Sequence, residues 1–143
     1  GNTPVDSFHR ELGSVMIDRC GISRHADGLR QGLEQVKALE QRFEDEVRVP
    51  GEANGPNAEL EKALRVKDFF GLAQLMLRDA LAREESCGAH FREEHQSNEG
   101  EAQRDDVNFA HIAAWEHKAD GEPIRHSEPL QFTALQPSTR SYK

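Results

Sequence analysis

Apolar side chains recur early in the chain as Phe8, Leu12, Val15, Met16 and Cys20. Steps of three and four hold such a series on one face of an α-helix. The series predicts a helix over about 6–20. Asp6 or Ser7 can cap its start, because a short polar side chain accepts an orphan backbone N–H. Gly21 follows the last periodic residue, where a left-handed stop costs glycine least. A second series, Leu29, Leu33, Val36, Leu39, Phe43 and Val47, predicts a helix over about 25–48. Ser23 or His25 begins it, and Asp27 suits the positive end of its dipole. The opposite face carries Arg30, Glu34, Lys37, Gln41 and Asp45, so it meets water. Pro50 stops the helix, since proline cannot donate and restricts the residue before it.

Residues 49–57 hold two prolines and two glycines and read as a loop. Asn57 then caps a third helix over about 58–85, roughly 40 Å long at 1.5 Å per residue. Its first half is amphipathic. From Phe69 to Ala82 it is apolar on most sides. A helix with so little polar surface needs cover on several faces. Helices 1 and 2 supply part of that cover; the tail of the chain or a partner must supply the rest. Gly88 is placed to end this helix. Residues 92–106 are polar and predict a long loop, solvated or lying on a partner. Ile112, Ala114 and Trp115 precede Asp120-Gly121, a two-residue hairpin signal. Strands follow near 110–117 and 122–128, a hairpin over about 110–128. Gln136 to Lys143 reads as extended. The fold class is therefore mainly α. It is a three-helix, spectrin-repeat-like bundle, then a long loop and a small C-terminal β-hairpin, in a single domain over 1–143.

Composition narrows the options. The 143 residues carry 18 Lys+Arg against 26 Asp+Glu, a net charge of −8 with histidine neutral. That sign argues against nucleic-acid binding, which needs cations to displace phosphate counterions. It argues equally against docking on anionic lipid. No apolar run reaches the ~18 residues of a membrane span, and no secretory signal opens the chain. The start at Gly1, without Met, reads as a processed or engineered beginning and so as part of something longer. Cys20 and Cys87 are too few for a disulfide framework and read as reduced thiols. The charge spreads along the whole chain, which marks solvated faces rather than a site.

The residue chemistry assembles no active site. Five of the seven histidines fall late: His90, His95, His111, His117 and His126. A helical metal site wants two at i and i+4. His90 and His95 are five apart, a rotation of about 140°, so their rings would diverge. The acidic pairs Glu84/Glu85, Glu93/Glu94 and Asp105/Asp106 read as solvated neighbours. Acid–base catalysis needs two carboxyls in unlike environments. Cys87 follows a helix C-terminus, the wrong end of the dipole for a thiolate. Ser86 lacks the glycines of a nucleophile elbow. No P-loop or Gly-x-Gly-x-x-Gly cradle occurs.

Four segments are more distinctive. They are Cys20-Gly21-Ile22-Ser23-Arg24, then Glu85-Ser86-Cys87-Gly88-Ala89-His90, then Arg104-Asp105-Asp106-Val107-Asn108-Phe109, and the terminal Arg140-Ser141-Tyr142. In this order they resemble the C-terminal domain of the flavoprotein subunit of succinate dehydrogenase/fumarate reductase. Cys87 stands where that family has arginine, so no ion pair of that arginine carries over. Val107 stands where glutamate is common, and the insert Gln96–Gln103 suits variants with a diheme membrane anchor. An L-aspartate oxidase-like flavoprotein shares the architecture and remains an alternative. The Asp105-Asp106 segment and the terminal Arg140-Ser141-Tyr142 favour the succinate/fumarate enzymes.

The resemblance implies a non-catalytic domain that packs on an FAD domain and supports assembly with an iron–sulfur subunit. Indirectly it implies a membrane anchor. The parent enzyme would interconvert succinate and fumarate through FAD, in electron transport and the tricarboxylic acid cycle. It would sit in the cytoplasm, peripheral on the inner face of a bacterial cell membrane. No catalytic, cofactor-binding or metal residue is implied within this chain. Ala89, His90, Phe91 and Arg92 are the candidate contacts to the flavin domain; the competing reading is that they cap the third helix and pack on the hairpin. Two rival functions are a free-standing acidic helical interaction module and a small metal-dependent hydrolase built on the late histidines.

Overall fold

A computed structural model describes residues 1–138. A short strand, β1 (Thr3–Pro4), leads into α1 (Val5–Cys20). Next come β2 (Ser23–Arg24), α2 (Ala26–Glu46), β3 (Val47–Arg48) and α3 (Ala58–Ala82). The rest holds β4 (Phe91–Arg92), a single turn α4 (Asp106–Phe109), β5 (His111–Glu116) and β6 (Ile124–Pro129). The three long helices pack on one another, and β5–β6 form an antiparallel hairpin. The architecture is mainly α, as the periodicity predicts.

The core is one stripe from each helix. Val5, Phe8, Leu12 and Cys20 meet Leu29, Val36, Leu39 and Phe43, and both meet Ala63, Val66, Phe70, Ala73, Leu77 and Ala80. Phe43 links the layers, with its ring centroid 5.2 Å from Phe8 and 5.4 Å from Phe70. Each fully buried large side chain contributes about 1.5–3 kcal/mol over exposure. Arg42 stacks on Phe8, 5.3 Å from its ring centroid, while its guanidinium binds both Glu11 oxygens. The helices cross closely at Gly32. A Cβ there would lie 2.8 Å from Arg19 Cβ and 2.9 Å from Leu77 Cδ2. Gly32→Ala would help a free helix by about 1 kcal/mol. Here overpacking is expected to reverse the sign, to a net loss of about 1–2 kcal/mol in urea unfolding.

Several local expectations are corrected. Asp6 does not cap α1, which begins behind Pro4 with no side-chain cap. Asp6 instead pairs with Lys62 Nζ at 3.1 Å. Gly21 ends α1 at φ −65°, not left-handed; a Cβ there would sit 2.7 Å from the Ile17 carbonyl oxygen. His25 and Asn57 do cap α2 and α3. The last residues of the second predicted helix are β3, paired in parallel with β1. α3 stops at Ala82, before residue 85, and Gly88 (φ +60°) serves a later turn in which Cys87 and His90 bridge. The hairpin has no two-residue turn. Glu116 pairs with Ile124, so residues 117–123 form a seven-residue loop, with Gly121 at φ +102°. The polar segment 92–106 is tied down by β4 and by a bridge between Gln96 and Ala102. The predicted extended end and the Arg140-Ser141-Tyr142 motif largely lie outside the described residues.

α3 is less uniformly covered than its neighbours. The hairpin lies against it, with Trp115 Nε1 donating to Asp79 Oδ1 at 3.0 Å and Glu122 paired with Arg78. Leu60, Leu64, Leu72 and Met76 nonetheless stay exposed, whereas α2 exposes no large apolar side chain.

Candidate functional site

Three of the four distinctive segments meet at the C-terminal end of α3. The last four carbonyls of a helix have no partner within it. Arg92 reaches back to supply two of them and the carbonyl of the residue that follows the helix. Its Nη1 donates to the carbonyls of Ala80 (2.9 Å), Leu81 (3.1 Å) and Arg83 (3.3 Å), and its Nε to Glu94 (3.2 Å). A cation is also favoured there by the helix dipole. Arg92 is 2% exposed, and its backbone is clamped by a fully buried Ser86. The Arg92 N–H donates to Ser86 Oγ at 2.8 Å, and that hydroxyl donates to the Arg92 carbonyl at 3.1 Å.

The Cys20–Arg24 segment joins through β2, which runs parallel to β4 with Ser23 opposite Phe91 and Arg24 opposite Arg92. The Phe91 N–H donates to the Ile22 carbonyl at 3.1 Å, and the Glu93 N–H to the Arg24 carbonyl at 2.8 Å. Arg24 Nη1 lies 2.9 Å from His90 Nδ1, and His90 Nε2 lies 2.9 Å from the Arg83 carbonyl. A guanidinium can only donate. His90 is therefore neutral, with Nδ1 accepting and Nε2–H donating.

Glu85 brings in the third segment. It is 3% exposed. One oxygen accepts Arg83 Nε and Nη2 at 2.8 and 2.6 Å, and the other accepts the Asp105 N–H at 2.8 Å. The Ser86 N–H donates to the Gln103 carbonyl at 2.7 Å. Asp105 then caps α4, accepting from Asn108 N and Nδ2, which hold its carboxyl below the usual range. Glu94 accepts the Ala26 N–H at 2.5 Å at the start of α2. Partial burial opposes its charge, but that N–H and Arg92 outweigh it and lower its pKa.

Sequence patterns read Glu85 as one of a solvated pair; only Glu84 is exposed. A buried acid beside Arg83, with Ser86 also buried, had no periodic signal to announce it. Of the candidate contacts, His90 and Arg92 are buried within the chain, Phe91 is half-buried and Ala89 is exposed. Cys87 is half-buried and holds the turn through its backbone, exchanging N–H···O bonds of 2.9 and 3.1 Å with His90. Two of the remaining late histidines work separately. His111 meets Arg125 at 2.9 Å and His126 meets Glu116 at 2.8 Å. Among the described residues no three His, Cys, Asp or Glu side chains gather as a metal would need.

Burial, and then the charges of Arg24, Arg83 and Arg92, lower the His90 pKa from its ordinary 6.5, outweighing the bond to the Arg83 carbonyl. As pH falls below about 6.5, the unfolded chain gains that proton before the folded one does. Stability is thus expected to be full above that pH and to decline as pH drops, levelling once folded His90 protonates. His90→Gln should flatten this part of the curve of denaturation midpoint against pH.

The family model described as fumarate reductase flavoprotein C-term matches residues 9–142, and the chain belongs to that family. The fumarate reductase flavoprotein subunit of Escherichia coli (strain K12) is 31% identical over 132 residues, covering 92% of this chain and 21% of that protein. That of Haemophilus influenzae is 27% identical over 142 residues, covering 99% of this chain and 22% of that protein. A solved quinol-fumarate reductase with menaquinol molecules superposes with a TM-score of 0.79 at 29% identity, over 96% of this chain and 23% of that one. The chain spans about a fifth of the length of the curated relatives it matches.

A flavin dinucleotide would need free backbone N–H groups at a helix start behind a glycine-rich turn. At the start of α2 the Ala26 and Gly28 N–H groups donate to Glu94 and His25, and at the start of α3 the Glu59 and Leu60 N–H groups donate to Asn57. α1 opens with Asp6, whose charge would repel phosphate. The described residues do not fit FAD, and no step of flavin chemistry follows from them.

Proposed function

We propose that the chain is the supporting C-terminal domain of an FAD-dependent succinate dehydrogenase/fumarate reductase flavoprotein subunit. It performs no chemistry itself. It packs on the subunit's FAD-binding domain and helps present that subunit to an iron–sulfur partner and, through it, to a membrane anchor. The observation that carries this reading is the convergence of three family segments on one node. Besides pairing its own side chains, that node fixes backbone: it caps α3, starts α2 and orients the turn at 87–92. A site for substrate would keep polar groups free, and here Arg92, Ser86, Glu85 and His90 are all engaged within the chain.

In this reading the parent subunit interconverts succinate and fumarate through FAD, peripheral to the cytoplasmic face of the membrane. No helix among the described residues is long and apolar enough to cross a bilayer. Ala89 and Phe91 face the flavin domain, with His90 and Arg92 fixing the strip from behind. The test is Ala89→Arg in the full-length subunit, beside His90→Ala and Arg92→Ala. Ala89 is exposed, so its replacement leaves the domain folded. All three variants should lose bound flavin on gel filtration and capture less iron–sulfur subunit. Unchanged flavin retention and assembly in Ala89→Arg would overturn the contact.

A further inference from the structure

The hairpin is fixed to the bundle by polar contacts more than by burial. Every residue from 111 to 129 is exposed or half-buried. Its large aliphatic side chains, Ile112 and Ile124, are exposed. Alternation along β5 leaves His111, Ala113 and Trp115 half-buried on the side toward α3, with Ile112, Ala114 and Glu116 on the other. Arg125 of β6 stands opposite Trp115. Two side chains of α3 hold the hairpin. Asp79 accepts Trp115 Nε1 at 3.0 Å and lies 3.6 Å from Arg125 Nε, and Arg78 pairs with Glu122. Arg125 Nε is buried and makes no hydrogen bond among the described residues. The bond that steadies this guanidinium runs from Nη2 to His111 Nε2 at 2.9 Å.

A guanidinium only donates, so His111 Nε2 accepts and the ring is neutral, with its proton on Nδ1. A second proton would remove the acceptor and set two cations at hydrogen-bond distance. The surrounding groups offer little relief. Asp79 already serves Trp115 as well as Arg125. Further along the same side, Arg83 is held by Glu85, and Arg24 by a neutral His90. Phe109, next to α4's end and 6.0 Å from the His111 ring, carries no charge. Glu116 is bound to His126 and Lys118, and Glu128 lies opposite Ile112 on the outer face.

We propose that the hairpin is a latch on α3 that loosens on acidification, with the His111–Arg125 hydrogen bond as its trigger. The latch belongs to this chain and does not rest on the proposed parent enzyme. With His111 neutral, Arg125 is held beside Asp79 and the hairpin stays down. With His111 charged, the two side chains repel and that hold is lost. Six register pairs, and the Leu130 N–H donating to the Ala110 carbonyl at 2.9 Å, keep the two strands together, so the hairpin lifts as a unit. Losing a hydrogen bond to a charged group shifts the balance toward the open form by about ten-fold.

The chain has a single tryptophan, Trp115, so acrylamide quenching of its fluorescence reads the latch. Lowering the pH from about 8 to about 5.5 spans the histidine range and leaves ordinary carboxylates charged. Over that interval Trp115 should become several-fold more quenchable and its emission should move to longer wavelength, while the far-UV helical signal stays constant. His111→Gln keeps an acceptor for Arg125 but cannot titrate, so its quenching should stay low at both ends. Arg125→Gln removes the opposing cation and should also abolish the pH response. His90 and His117 lie close to Trp115 as well, and His90→Gln and His117→Gln should each retain the response. No response in the unaltered chain, or a response kept in His111→Gln or Arg125→Gln, would overturn the latch. So would its loss in His90→Gln or His117→Gln, or a parallel fall in helical signal, which would mean that the whole bundle responds.

Discussion

Arg92→Ala is expected to lower the stability of the isolated chain by about 3–5 kcal/mol, a fall in Tm of roughly 10–20 °C. The guanidinium is buried and serves three helix-end carbonyls and Glu94 together. Removing it strands those acceptors away from water, and each unmet buried group costs about 1–3 kcal/mol. It also removes a cation from the negative end of α3. Arg92→Lys keeps the charge but not the planar fork, so it should recover only part of the loss. Arg30→Ala is the control. Its partner Asp27 and Arg30 itself are largely exposed, and such pairs are worth at most about 1 kcal/mol. Equal effects of Arg92→Ala and Arg30→Ala in thermal melts would mean that the node does not hold the end of the helix.

Phe70→Ala should cost about 3–5 kcal/mol, the usual range for a large aromatic removed from a packed core. Phe70 is fully buried and meets Phe43 edge-on. Leu72→Ala, only two residues on, should change the urea midpoint of the isolated chain very little. The contrast tests the phase of α3. If Leu72→Ala proved the costlier change, the buried stripe would lie on another face.

The two changes also separate what periodicity reveals from what it hides. Repeats of three and four announced all three helices, because a helix must bury one face whatever its neighbours are. Pro50 and Asn57 marked ends through local chemistry. The end of α3 was not legible, because it is set by Arg92, ten residues beyond Ala82. The same holds for β2 and β4: two-residue strands carry no alternation to read. Asp6 reads locally as a cap, but α1 already begins at Val5 behind Pro4, so Asp6 lies in its first turn and pairs with Lys62 instead. Asp120-Gly121 supplied a positive φ but within a longer loop, since Glu116 and Ile124 fix the register. Glu85 reads as solvated because nothing local distinguishes it from Glu84. The distinctive segments pointed to the family. That three of them form one buried node depends on contacts spanning dozens of residues, which spacing cannot encode.

The turn at Cys87 does not depend on its side chain. The turn it occupies is held by its own N–H and carbonyl to His90 and by the positive φ of Gly88. A change of side chain there leaves those bonds in place.

The central claim is a division of labour: this domain supports a flavoenzyme without holding its flavin. The most direct measurement is a titration of FAD into the isolated chain, followed by quenching of flavin fluorescence. The signal should stay linear in added FAD, with no saturation and no protein-bound colour after gel filtration. Saturable binding at one FAD per chain would contradict the account.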